Sequence, residues 1–134
     1  MPKYAGLILG LLCAQPAIAM EAYVAVSRTA MAVTGDIRMD DFAIVFQNRK
    51  KMTFDALVGD SFVVGGRAVP ASVYSLKRPE DPVLLGGNRL CGEGRVTYMA
   101  SWGGEREMVL AVFTTQDKPS SDAEMCASYT YEPR

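Results

Sequence analysis

A chain of 134 residues with 15 acids, 14 lysines and arginines and no histidine excludes two large classes of chemistry before any motif is read. Without an imidazole it has no Ser-His-Asp or Cys-His arrangement, and it lacks the commonest side-chain ligand of transition metals. Its formal charge of −1 gives no electrostatic case for nucleic acid or for an acidic membrane face, and its length suits one domain.

Lys3, the apolar run Ala5–Ala14 and the small-x-small end Ala17-Ile18-Ala19 have the layout of a secretory signal peptide, with cleavage expected after Ala19. The run is too short for the roughly 20 residues of a membrane span, and Pro16 interrupts it. Lipid attachment at Cys13 is disfavoured by Leu12, which stands where that processing needs a small residue. Residues 20–134 are then expected as a single domain. Cys13 leaves with the leader, and Cys91 and Cys126 remain as an even pair, 35 positions apart. In an oxidising compartment that pair reads as a disulfide, for which chain entropy gives about 4 kcal/mol. A redox-active pair lacks both the C-x-x-C spacing and a neighbouring His.

Along 20–134, Ala22–Val26 and Thr29–Thr34 are rich in β-branched and small apolar residues and read as one broken strand or two. Phe42, Ile44 and Phe46 then alternate, as do Met52 and Phe54. A loop of Asn48-Arg49-Lys50 would set Phe46 against Met52 and Ile44 against Phe54. Leu57–Asp60 reads as a turn, Phe62–Val64 as a short strand, Gly65-Gly66-Arg67 as a second turn and Ala71–Leu76 as a strand opened by Pro70. Lys77–Pro82 reads as a polar loop and Val83–Leu85 as a short apolar piece.

The clearest unit is a hairpin: Val96–Trp102, a turn at Gly103–Arg106, and Glu107–Thr114, with Trp102 opposite Glu107 and Ala100 opposite Val109. Cys91 precedes it and Cys126 follows it, at the head of a third strand Met125–Tyr131, after one helical turn at Asp122–Met125. Outside the leader no stretch keeps a 3.6-residue period. Seven to nine short strands with one disulfide predict an all-β domain, either a small antiparallel barrel or a two-sheet sandwich.

Several residue groups are candidates for chemistry. Asp36, Asp40, Asp41, Asp55 and Asp60 include possible carboxylate pairs, although acids beside glycine and at strand ends are also what turns require. They lack EF-hand spacing. Arg49-Lys50-Lys51 makes a basic hairpin tip, either a solvated end that discourages edge pairing or a docking point for an anionic polymer or an acidic protein. Gly86–Arg95, with Arg89, has glycines that could turn backbone N–H groups toward an anion; a tight loop shaped by the disulfide accounts for them equally. Trp102, with Tyr98 on the same face, is either a binding anchor or part of the core or rim. The methionines of the strands read as core fillers. No metal site and no cofactor are implied.

At Asn88-Arg89-Leu90-Cys91-Gly92, the hairpin through Phe113, and Cys126–Tyr131, the chain resembles small secreted proteins of Gram-negative bacteria whose function is uncharacterised. In size, leader and single disulfide it is also similar to the small β-barrel inhibitors of C-type lysozyme. That likeness is architectural: the Ser-Gly-x-x-Tyr loop of those inhibitors has no counterpart, so no inhibitory residue is carried over. The resemblance implies a periplasmic or secreted address. The expectation is a non-catalytic binding domain with Trp102, Tyr98, Arg49, Lys50, Lys51 and Arg89 as candidate surface and a protein or envelope component as partner, a lytic enzyme among them. A carboxylate-dependent hydrolase and a structural subunit of an envelope assembly are the rivals.

Overall fold

The computed structural model describes residues 20–134, so the expected leader and Cys13 lie outside the described residues. Eight antiparallel strands follow one another around a closed barrel: β1 (Glu21–Ala25), β2 (Ile37–Met39), β3 (Ala43–Val45), β4 (Lys51–Val64), β5 (Arg67–Glu80), β6 (Val96–Gly103), β7 (Met108–Phe113) and β8 (Ala127–Pro133). The ring closes where β8 pairs with β1, Val24 opposite Glu132. Of the two expected architectures the chain adopts the barrel.

Period-two alternation explains the closure. Ile37, Ile44, Met52, Phe54, Leu76, Met99, Leu110 and Val112 point inward and are at most 8 % exposed, whereas Arg38, Lys51, Thr53 and Lys77 beside them face solvent. An eight-stranded barrel is about as wide as its own side chains can fill, and here they fill it. Tyr129 and Tyr131 complete the interior from β8. Each finds a partner for its hydroxyl: Tyr129 donates to Leu90 O at 2.6 Å, and Tyr131 Oη lies 2.6 Å from Thr34 Oγ1.

Thr34 belongs to the first correction. Thr29–Thr34, expected as strand, instead forms a π-helical turn over Ala30–Thr34, with Met31 N–H donating to Ser27 O and Gly35 N–H to Ala30 O. Ala30 and Thr34 are fully buried, four residues apart on that turn, Ala30 within the apolar core and Thr34 against Tyr131. Tertiary packing overrides the β preference of Val33 and Thr34.

The second correction concerns β4 and β5. Leu57–Asp60 is not a turn, and Lys77–Glu80 is not a loop; both lie inside strands of 14 residues. Three register shifts between Phe54 and Ser61 bend β4 instead of ending it. The far half of the β4–β5 hairpin becomes an arm, turned by Gly65 and Gly66 at φ 57° and 84°, the left-handed pair that a two-residue hairpin loop requires. The arm lies against the outer face of β6 and β7 and forms a second apolar cluster of Phe62, Val73, Ala100, Ala111 and Phe113. Its other side is held by the β7–β8 connection, where Val63 N–H donates to Ser120 O at 3.0 Å.

Both expected hairpins keep their faces and lose their register. Trp102 pairs with Val109 and Ala100 with Ala111, so the β6–β7 loop is Gly104–Glu107 and Gly103 pairs with Met108. A side chain on Gly103 would collide with the Glu107 carbonyl, which is why this glycine can pair so closely. Ile44 pairs with Met52, not with Phe54. The slip is one residue on each arm, and with a side-chain period of two it leaves Ile44, Phe46, Met52 and Phe54 on one side; Phe42, expected with them, lies before the start of β3 and is exposed.

Two shorter pieces also differ. Val83–Leu85 is no strand: Val83 bridges Arg89 alone, and a 3-10 turn occupies Leu85–Gly87. β8 begins at Ala127, after a 3-10 turn at Asp122–Glu124 that Ser121 caps, close to the helical turn expected there. Cys91 and Cys126 are bonded, with their Cα atoms 5.5 Å apart, and tie the β5–β6 connection to the start of β8.

Candidate functional site

The basic tip is built on a three-residue turn. Phe46 N–H donates to Lys50 O and Arg49 N–H to Phe46 O, both at 2.9 Å, so the loop is Gln47–Arg49 rather than Asn48–Lys50. Arg49 sits at φ 75°, the one non-glycine residue with positive φ among the described residues, at the position where such loops favour glycine. Asn48 fixes the turn twice: its Oδ1 accepts Lys50 N–H at 3.0 Å, and its Nδ2 donates to Val83 O at 3.1 Å. Arg49, Lys50 and Lys51 are all exposed on this rigid support.

The pairing of the strands extends the tip into a track. Ala22 lies opposite Arg38, Arg38 opposite Val45 and Val45 opposite Lys51, all on the outer face. Arg134, whose N–H donates to Ala22 O at 3.0 Å, continues that row beyond β1. Arg38, Arg49 and Arg134 border a depression of about 500 Å³. Lys51, Lys77 and Arg78 border a smaller one of about 180 Å³ on the β4–β5 side. Within the first, Asp36 is already engaged: its Oδ2 meets Arg134 Nη2 at 3.2 Å and its Oδ1 accepts Ala25 N–H at 3.0 Å. That contact is the single ion pair among the described residues, so Arg38, Arg49, Lys51, Lys77 and Arg78 form none with the described acids.

Three acids, Asp40, Asp41 and Asp55, gather at another part of the barrel. Asp41 and Asp55 border one depression together with the exposed Phe42 and Leu57. Asp40 caps the start of β3, its Oδ1 accepting Phe42 N–H at 2.7 Å and Ala43 N–H at 2.9 Å. Asp41 accepts the Tyr74 hydroxyl at 2.7 Å. Burial, and then that carboxylate, pushes the Tyr74 pKa up to about 12, so its phenol stays protonated at neutral pH. Asp60 borders a different depression beside Trp102, and Asp36 lies with the arginines. Of the five acids singled out in the sequence, only Asp41 and Asp55 are brought to one depression. Among the described residues no group of three His, Cys, Asp or Glu side chains is placed to hold a metal.

Trp102 and Tyr98 lie on the outer face of β6, where they pack at the edge of the second apolar cluster. The Trp102 ring stacks on Phe62 at 5.5 Å between centroids, and Phe113 meets Phe62 edge-on at 5.6 Å. Both residues remain half-buried. They are on a different wall from the basic tip.

The glycine-rich loop does gather backbone N–H groups around an anion, and the anion is the chain's own. Asp81, 9 % exposed, accepts Leu90 N–H at 2.7 Å, Gly92 N–H at 2.8 Å and Cys91 N–H at 3.3 Å. Arg89 donates from Nη1 to Asp81 O at 2.6 Å and so braces this loop.

Arg38, Lys77, Arg78 and Arg134 were missed by reading the chain locally. Their outward position was legible, since Arg38 stands between Ile37 and Met39 and Lys77 follows Leu76. Their assembly depends on which strands pair. No helix among the described residues is long and apolar enough to cross a membrane. No family model, no curated protein and no solved structure matches this chain.

Proposed function

We propose that the protein is an exported, non-catalytic binding domain of the bacterial envelope, periplasmic or secreted, that engages a protein or an envelope component through its outer surface; inhibition of a lytic enzyme is one form of that function. The observation that carries this reading is the use of the interior. Residues from all eight strands fill the barrel, so a ligand meets the outer walls and loops. The disulfide supports an oxidising compartment.

The rival reading, a hydrolase using two carboxylates, draws on Asp41 and Asp55 sharing a depression. It is the weaker one, because Asp41 already accepts the Tyr74 hydroxyl and serves the wall of the barrel.

The test is affinity capture of envelope extract on the disulfide-bonded protein, followed by direct binding of the purified candidate. A partner that binds the wild type, and is unaffected by Asp41→Asn and Asp55→Asn, supports the binding domain. A hydrolytic activity on envelope material that both substitutions abolish would overturn it in favour of the enzyme.

A further inference from the structure

We propose that the basic track on the outer wall of β1–β5 is a binding site for a linear anionic glycan with an acidic sugar at alternate positions. This deepens the binding-domain reading and rests on it. Neighbouring strands lie about 4.8 Å apart at the backbone, so the row Arg134, Ala22, Arg38, Val45, Lys51 follows about 19 Å of backbone around the curved wall, with a cation on every second strand. A pyranose ring spans about one such step. A glycan laid across the strands therefore brings an acidic sugar to Arg134, Arg38 and Lys51 in turn, and a neutral sugar over Ala22 and Val45 between them.

The flanking groups fit the same ligand. Arg49 overhangs the first depression, and Lys77 and Arg78 border the second, so carboxylates or sulfates on either edge of the chain meet a fork or an ammonium. The acids on this wall are Asp36, engaged with Arg134 and the Ala25 N–H, Glu21, which accepts the hydroxyl of Tyr23 at 2.8 Å at the border of the first depression, Glu80 beside the second depression and Glu132 opposite Val24. Two other anionic partners fit less well. Single-stranded nucleic acid uses successive aromatic platforms, whereas here a single half-buried tyrosine, Tyr23, borders the first depression and Trp102 and Tyr98 stand on another wall. A bilayer is recognised by cations together with apolar side chains that insert, and the most exposed of those here, Phe42 and Leu57, lie beside Asp41 and Asp55.

The experiment uses the disulfide-bonded protein and fluorescently labelled hyaluronan oligosaccharides of two to ten sugars, read by anisotropy at low salt. The expected result is weak binding for two and four sugars, a rise at six and little gain beyond, because the row accommodates about five units. Arg38→Glu and Lys51→Glu should each weaken binding roughly tenfold. Arg38→Lys and Lys51→Arg should keep it, and Arg106→Glu, the same charge change on the β6–β7 loop, should leave it unaltered. Binding that shows no such length step, that falls equally with Arg106→Glu, or that is exceeded by a single-stranded oligonucleotide or phosphatidylglycerol vesicles overturns the proposal. If an envelope partner is captured and survives Arg38→Glu and Lys51→Glu, the binding domain stands and the glycan track fails.

Discussion

The buried carboxylate of Asp81 accepts the backbone N–H of Leu90 at 2.7 Å and makes the glycine-rich loop a self-filled anion site. With Cys91 and Gly92 it organises three successive N–H groups around one carboxylate. Asp81→Ala leaves these donors around a void and should cost about 2–4 kcal/mol. Asp81→Asn keeps one acceptor oxygen and should cost about half as much. Urea unfolding with an unchanged slope is the measurement. A loss below about 0.5 kcal/mol for the alanine variant would show that water replaces the carboxylate at no cost.

Because the Cys91 N–H is bound to Asp81 while its sulfur is bound to Cys126, the two devices hold the same loop. Replacing both cysteines by serine should cost about 4 kcal/mol for a span of 35 residues. Combined with Asp81→Ala the losses should not add: once the loop is freed by one change, the other has less left to release, by at least about 0.5 kcal/mol. A double-mutant cycle reads this directly, and strict additivity would mean that the two fix different states of the loop.

Faces were more legible in this sequence than registers. Alternation told which side of a strand Ile44, Phe54, Ala100 and Phe113 occupy, because each position has only two sides. Where Ile44 sits along Met52 or Phe54 was decided by the turn, and the turn was decided by Arg49 accepting a conformation more usual for glycine. The helical turn at Ala30–Thr34 was hidden because its cause, the burial of Ala30 in the core and of Thr34 against Tyr131 of β8, is non-local. The arm was hidden because β-bulges around Gly59 look in sequence like an end of strand. The same division holds for the site. Arg49, Lys50 and Lys51 are consecutive and could be seen; Arg38 and Arg134 join them only through pairings across β1, β2 and β3.

At Arg49 the strained backbone and the charge are separable. Arg49→Gly removes a side chain from a left-handed position and should raise stability by about 1 kcal/mol, since glycine adopts φ 75° without a Cβ penalty. It also removes a cation from the rim of the first depression. A higher melting temperature with weaker glycan binding is the expected pair of outcomes, whereas a lower melting temperature would mean that the guanidinium itself holds the turn.

Phe62 is the contact through which the arm reaches the barrel wall. It is 2 % exposed and touches both Trp102 and Phe113. Phe62→Ala should cost about 3–5 kcal/mol, and the emission of the single tryptophan should shift to the red as its stacking partner leaves. If stability falls without a spectral shift, the arm stays seated and the loss lies elsewhere in the cluster.

Alkaline pH tests the barrel's polar fastenings. Burial, and then the negative charge of Asp81, pushes the Tyr129 pKa up to about 12 from an ordinary value of 10.0, and Tyr74 reaches a similar value through burial and Asp41. Tyr131, more deeply buried, is raised further. For each, the folded protein holds its proton more tightly than the unfolded chain does, so the stabilisation is fully present below about pH 10 and is lost as pH rises through about 12. Phenolate absorbance should therefore titrate late in the folded protein, and urea midpoints should fall steeply between those two pH values. Tyr129→Phe should lower stability at neutral pH, because the Leu90 carbonyl loses its donor, and should flatten the alkaline decline. A decline of unchanged steepness in that variant would place the alkaline weak point away from Tyr129.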